Sequence, residues 1–433
     1  MTFSGAIPVP QKDSCATSME GGRPMRLAFL TQTENDQGTA RTSRAATDPR
    51  AIVFGDTIVL PLDDTEGEGA DLSVAERRVA PEDLYLVVQK GRLFQHHHPD
   101  APVLLDKGRF LLVELPAARA QAIGHSDKPC FTIDALQPGR TVYRSLGRPQ
   151  ARRGRSAHAS AAVERLSEET FGEAIRTLTG FPTRLSTSAH FRAAADWAGE
   201  RLRGLGFDVS QPCIDVSGKT SRNVQADRVG KGTARRLVLV TAHLDSVNHQ
   251  GGPDSPAPGA DDNASGSAGA LTLASALAGM DAGHDFRILL FGGEEQGLHG
   301  STQHVAGLPA SERRRISCVI NMDMIAVRNA AAPSVLLEGA PVSSGLIDAL
   351  ADAAALHTTL RVETSLSPFD SDHVPFIRAD IPAVLTIEGA DRANISVHTA
   401  QDTPDRLDHG LAMEILQMNA AVLAEQLDAQ AGT

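Results

Sequence analysis

The chain has 433 residues, 41% of them hydrophobic and only 4% aromatic, with a single Trp and a formal net charge of −12. This apolar content supports a sizeable core and excludes global disorder. The acidic balance and the shortage of aromatic rings argue against nucleic acid or an anionic membrane surface as a partner.

No apolar run approaches the roughly 20 residues of a membrane-spanning helix. The opening stretch "MTFSGAIPVPQKDSCATSMEGGRPMRLAFL" holds no apolar segment of signal-peptide length behind a basic leader. Four cysteines, Cys15, Cys130, Cys213 and Cys318, lack CxxC spacing. Reduced thiols are therefore expected, rather than a zinc knuckle or a disulfide framework.

In chain order, residues 1–25 read as a polar tail without periodicity. Residues 26–146 read as a β-rich N-terminal domain. Its runs "AIVFGDTIVLPL", "DLYLVVQKGRLF", "APVLLDKGRFLLVEL" and "CFTIDAL" are short and broken by Gly, Pro and Asp. His96, His97 and His98 form a tract that suits either a metal or, more simply, a solvated turn before Pro99. Residues 147–158, basic and without apolar periodicity, read as a linker. Two amphipathic helices are predicted next, in "SAAVERLSEETFGEAIRTLTG" and "SAHFRAAADWAGERLRGLG", each ending on Gly.

From there to residue 433 the rhythm changes. "RRLVLVTAHLD", "FRILLFGGEEQG", "ISCVINMDMIAV" and "IPAVLTIEG" are continuous apolar runs separated by helical stretches. Such runs predict an α/β fold, with a mostly parallel central sheet sandwiched by helices and a smaller β-rich domain before it. A polar cluster closes each run: His243 and Asp245, Glu294 and Glu295, Asp323, Glu388. Open α/β sheets bind ligands at the carboxyl ends of their strands, so these groups are predicted to share one edge.

"PGADDNASG" sets Asp261 beside Asp262, an arrangement that repels itself unless water, hydrogen bonds or a cation takes up the charge. Together with His243, Glu295, Asp323 and His398, Asp262 forms a set of two imidazoles and three carboxylates, the donor types preferred by catalytic Zn²⁺. Three carboxylates and one hydroxide balance two divalent cations; a single cation leaves the pocket strongly anionic.

The motifs "AHLDS", "GADDNASG", "GEEQGLHGS", "NMDM" and "HTAQDT" occur in the order found in the M28 family of zinc aminopeptidases, which residues 160–430 resemble. The resemblance implies two Zn²⁺ ions bridged by Asp262, one completed by His243 and Asp323, the other by Glu295 and His398. It implies peptide substrates, and a general-base role for Glu294 toward a metal-activated water; a capping role for one of the paired glutamates is the plainer alternative. A cis peptide after Asp262 is a further expectation.

Asp245, two residues past His243, is placed to fix that imidazole's tautomer. Asp402 suits either the same task at His398 or simple turn chemistry. Ser371, Asp372 and His373 in "FDSDHVPF" resemble the family's substrate-side loop. His249, His299 and His304 lie near the motifs but off pattern and read as solvated. Glutaminyl cyclase chemistry, a carboxypeptidase and a metal-free binding module are the competing readings of the same fold.

Overall fold

The computed structural model describes residues 24–31, 48–62, 73–89, 91–124 and 131–428. Most of the expected N-terminal tail, with Cys15, and also Cys130 lie outside the described residues. Met25, assigned to that tail, already opens a strand.

The N-terminal strands are β1 (Met25–Thr31), β2 (Ile52–Phe54), β3 (Thr57–Leu62), β4 (Ser73–Val79), β5 (Leu84–Gln89), β6 (Val103–Lys107), β7 (Phe110–Glu114), β8 (Phe131–Ala135) and β9 (Thr141–Gly147). Those that follow are β10 (Asp208–Ser210), β11 (Cys213–Val216), β12 (Lys219–Arg222), β13 (Val224–Arg228), β14 (Leu237–His243), β15 (Asp285–Phe291), β16 (Ile316–Met322), β17 (Ser334–Glu338), β18 (Arg361–Ser365) and β19 (Ala383–Glu388).

Four of the continuous apolar runs become the centre of the sheet. β15, β14, β16 and β19 are adjacent and parallel. Every residue of β14 and β19 is buried, which is what burial on both faces demands of a sequence. Helices Ala157–Glu164, Glu168–Thr179, Ala189–Gly204, Gly266–Ala278, Ser344–His357 and His409–Leu427 supply most of the covering layers. Three of them start on a serine whose side chain accepts backbone N–H groups: Ser156, Ser167 and Ser188. Such caps are worth about 1 kcal/mol each.

The N-terminal strands do not build a sheet of their own alone. One sheet of 13 strands runs β10-β13-β15-β14-β16-β19-β17-β18-β9-β2-β3-β1-β4. The antiparallel pairing of β18 with β9 carries it from one region into the other. A second, four-stranded sheet, β6-β7-β5-β8, packs beside it. One apolar cluster contains Leu27, Phe54, Leu86 and Phe110 together with Met324, Leu336, Phe369 and Leu385. The expected boundary near residue 146 is thus crossed both by hydrogen bonding and by a shared core.

The expected linker is basic because it is paired. Arg152 reaches Asp352 at 3.0 Å and Arg153 reaches Glu425 at 2.6 Å, on two different helices. His98, from the histidine tract, packs edge-on against Phe131 with ring centroids 5.7 Å apart. Cys213 is exposed, Cys318 is buried, and both are free. No described helix is long and apolar enough to cross a membrane.

Candidate metal centre

Three neighbouring strands, a turn and a loop deliver the polar groups to one edge of the sheet. His243 is the last residue of β14, and Asp323 is the first residue past β16. Glu294 and Glu295 follow β15 by a short turn. Asp262 comes from an irregular turn, Ala260–Ser265, that leads into helix Gly266–Ala278. His398 comes from a loop, in the left-handed region at φ 57°. The peptide between Asp262 and Asn263 is cis.

The turn is tightly enclosed. Gly259 has φ +51°, and a Cβ there would lie 2.4 Å from the Asp262 carbonyl oxygen and 2.5 Å from the Ser246 Cβ. Only glycine fits. Asn263 ties the turn to β16 by donating to the Met322 carbonyl at 2.9 Å.

All five expected ligands converge. Asp262 turns one oxygen to each histidine: Oδ1 is 3.1 Å from His243 Nε2, and Oδ2 is 2.9 Å from His398 Nε2. His243 Nε2 is also 3.2 Å from Asp323 Oδ1, and His398 Nε2 is 2.9 Å from Glu295 Oε2. A tetrahedral zinc with bonds of about 2.0–2.1 Å spaces its ligand atoms roughly 3.3 Å apart. The observed separations lie close to that edge length.

Burial makes these contacts costly unless a cation joins them. Both Asp262 carboxylate oxygens, Glu295 Oε1 and His398 Nε2 are buried without a hydrogen-bond partner. Unpaired buried charge of this kind is rare unless it coordinates metal. The field says the same. Burial would lower the His243 pKa, but the Glu294 and Asp323 carboxylates hold it well above the ordinary imidazole range. His398 is raised likewise against its burial, chiefly by Glu295. Burial pushes Asp262 up, yet the two histidines beside its oxygens hold it well below the usual carboxylate range. Positive charge is demanded on both sides of Asp262, and the donor set suits a pair of zinc ions.

Asp261 solves its repulsion from Asp262 differently. Its Oδ1 accepts from Ala326 N at 3.0 Å and its Oδ2 from Asn394 Nδ2 at 2.8 Å. It also faces Glu388. Burial, then the Asp402 charge, pushes Asp261 well above the usual carboxylate range; burial, then Asp261, does the same to Glu388. Asp261 thus has hydrogen-bond donors of its own, whereas both oxygens of Asp262 have none.

Glu294 is 4% exposed and puts Oε2 3.9 Å from His243 Nε2. Asp245 supports both sides of the centre. Its Oδ1 lies 3.6 Å from His243 Nδ1, and its two oxygens face the backbone N–H groups of Glu294 and Glu295 at 3.4 Å each. Asp402 does not orient His398. It accepts from the backbone N–H groups of Asp261 and Asp262 at 2.9 Å each.

Ser371, Asp372 and His373 are fully or almost fully buried. The Ser371 hydroxyl donates to Asp323 Oδ2 at 2.8 Å, while His373 Nε2 lies 3.5 Å from Glu338 Oε1. Burial brings Asp372 up to about 7.

Two groups escaped the sequence reading. Arg184 is wholly buried and donates to the carbonyls of Leu178, Leu244, Pro258 and Gly259, at 3.1, 2.8, 2.5 and 2.8 Å. It thereby joins the loop after β14 to the turn that carries Asp262. No local signal marks it, because its partners are backbone atoms 60 to 75 residues away, apart from Leu178. His249, read as solvated, packs its ring edge-on against His398 with centroids 4.7 Å apart. His304, also read as solvated, is instead half-buried against Phe291 and Phe376 and drawn down to about 4 by burial.

Fold and site together define an α/β metallopeptidase architecture, with ligands gathered at the carboxyl ends of parallel strands. Residues 223–423 match the model of peptidase family M28. It is 31% identical over 252 residues to leupeptin-inactivating enzyme 1 of Streptomyces exfoliatus, covering 56% of this chain and 54% of that one. It is 30% identical over 193 residues to aminopeptidase YwaD of Bacillus subtilis (strain 168), covering 44% and 41%. The chain therefore spans about half the length of these curated relatives. Its fold is shared with the zinc aminopeptidase BSAP from Bacillus subtilis, at 17% identity and TM-score 0.54 over 62% of this chain and 97% of that one. The LapB structure from Legionella pneumophila, at 18% identity, aligns with TM-score 0.57 over 79% and 99%.

Proposed function

We propose that the protein is a zinc-dependent aminopeptidase that removes N-terminal residues from peptides. The observation that carries this reading is Asp262, whose two unpartnered oxygens each face a separate histidine and carboxylate set with Glu294 alongside. His243 and Asp323 would hold one zinc with Asp262; Glu295 and His398 would hold the other. Bound there, the pair would supply Lewis-acid activation of water and of the scissile carbonyl.

The remaining work falls to the chain's own groups. Glu294 takes the proton of the attacking water at its carboxylate and returns it to the leaving amine. Asp245 holds the two glutamates in their separate tasks through their backbone N–H groups, and holds the His243 ring from behind. Ser371 orients Asp323 through its 2.8 Å hydrogen bond, and it alone of the Ser371–His373 trio also lines a cavity beside that ligand. His373 faces Glu338 instead.

The test is hydrolysis of aminoacyl-p-nitroanilides against N-acetylated counterparts and C-terminally free peptides, with bound zinc counted per chain. Hydrolysis of the free-amine substrates only, lost with a chelator and regained with zinc at two ions per chain, is the expected result. Turnover of N-blocked peptides from their carboxyl end would overturn it in favour of a carboxypeptidase.

A further inference from the structure

Between the end of β19 and the candidate ligand His398 the chain has one short element, the 3₁₀ turn Asp391–Ala393. A loop of this kind holds a ligand less firmly than a strand does. His243 and Asp323 are fixed by β14 and β16 in the middle of the sheet, but His398 depends on what anchors its loop. One anchor is Asn394, whose Nδ2 donates to Asp261 Oδ2 at 2.8 Å, in the turn that carries Asp262. Asn394 is itself tied back to Asp391, donating its backbone N–H to that residue's carbonyl at 2.9 Å.

Asp391 is held by the N-terminal region. Arg109, in the turn between β6 and β7, is 4% exposed and donates through Nη1 to Asp391 at 3.0 Å. Its Nε and Nη2 donate to the two carboxylate oxygens of Glu338, the last residue of β17, at 3.1 and 3.2 Å. The planar fork therefore fixes Asp391 relative to a strand of the large sheet. A longer contact runs from Nη2 to the Phe369 carbonyl at 3.5 Å, but Phe369 has its own tie to Glu338, its backbone N–H donating at 2.9 Å.

The turn that carries Arg109 is seated as firmly. Gln89 Nε2 donates to the Gly108 carbonyl at 2.8 Å, and Arg392 donates to Asp106 at 3.1 Å. Gly108 has φ +79°, and a Cβ there would run into the Arg392 side chain. Glu338 and Asp391 are both buried, and the guanidinium between them comes from 229 and 282 positions earlier in the chain. Removing it would leave two buried carboxylates without their cation.

Resting on the two-ion reading of the centre, we propose that Arg109 is a positioning residue for the ion that Glu295 and His398 would hold. The N-terminal region is then an integral part of the metal centre rather than an inert attachment. The route runs from Arg109 to Asp391, through the 3₁₀ turn to Asn394, and from there to Asp261 and along the loop to His398. The ion on His243 and Asp323 stands off this route, because strands place those two ligands.

The full chain, stripped of metal, is titrated with Zn²⁺ against a competing chelator, and with Co²⁺ while its visible absorption reports the ligand geometry. Arg109→Lys keeps a cation beside the two carboxylates but loses the fork. Asp391→Ala cuts the route at its next member and leaves a neutral Arg109–Glu338 pair, so the docking of the two regions is spared. Ile52→Ala is the control: Ile52 is buried in the apolar cluster the two regions share, on β2 and outside the turn.

The parent is expected to bind two ions. Arg109→Lys and Asp391→Ala should each weaken one of them roughly tenfold, leave the other unchanged, and alter the Co²⁺ absorption of the weakened site alone. Combined, they should weaken it by less than the product of their separate effects, since they lie on one route. Ile52→Ala should lower the thermal midpoint and leave both affinities in place. Both ions weakened alike, neither weakened, or Ile52→Ala matching Arg109→Lys in its effect on zinc would each overturn the inference. Two ions bound by a parent that cleaves no free-amine anilide would sink the aminopeptidase reading and keep Arg109 in its role; a parent that binds fewer than two ends both.

Discussion

Asp402 holds Asp262 by its backbone: Asp402 Oδ2 accepts from the Asp262 N–H at 2.9 Å, while Oδ1 accepts from Asp261 at the same distance. The residue that would bridge two metals is therefore aimed by a carboxylate 140 residues later in the chain. Asp402→Ala leaves two buried N–H groups without acceptors and frees the turn to reorient. Zinc affinity, measured against a competing chelator, is expected to fall about 10- to 100-fold. Asp402→Asn should behave similarly, since its NH₂ group opposes one of the two N–H donors.

Glu294→Gln preserves size but removes the site of proton transfer. Activity is expected to fall about 10²- to 10⁴-fold with zinc content unchanged. Glu295→Gln should differ by lowering zinc content as well as rate. Measuring metal and turnover on the same samples separates the adjacent glutamates.

Arg184→Lys keeps the charge but loses the fork that reaches four carbonyls. An ammonium has only three donors and cannot span the same acceptors, so at least one buried carbonyl loses its partner. The expected loss of stability is about 3 kcal/mol, read as a lower denaturant midpoint. It should appear in the chelated protein as well as in the zinc-loaded one, which distinguishes loop anchoring from a role in metal binding.

Glu363, on β18, carries a pH signature away from the metal ligands. Burial, followed by the charges of Asp391 and Asp56, raises it to about 7 from an ordinary value of 4.5. A carboxyl raised on folding contributes stability that is fully present below the unfolded value and is lost as pH rises through the folded one. The chain should therefore weaken between about pH 4.5 and 7 on this account, by on the order of 3 kcal/mol. Glu363→Gln should flatten that part of a plot of thermal midpoint against pH, with the gain at pH 8 and none at pH 4.

The continuous apolar runs predicted β14, β15, β16 and β19 because a strand buried on both faces has no polar face to alternate. The five candidate ligand positions stood out in the sequence for a related reason. Each sits at the end of such a run or in a loop of small residues, where few residue types serve any other purpose. The N-terminal boundary was not legible. Whether β9 pairs with β18 depends on backbone hydrogen bonding, to which side-chain pattern contributes little.

What the sequence by itself determined was the set of groups available for chemistry and the strands that carry them, since residue type and apolar period are local properties. Only the tertiary structure decided how those groups are aimed. Arg184, Asp402 and Arg109 act across 75 to 282 positions through their longest contacts, on backbone atoms and buried carboxylates that local spacing does not reveal. Their choice of partner follows from burial, which makes any unsatisfied polar group in reach costly to leave alone.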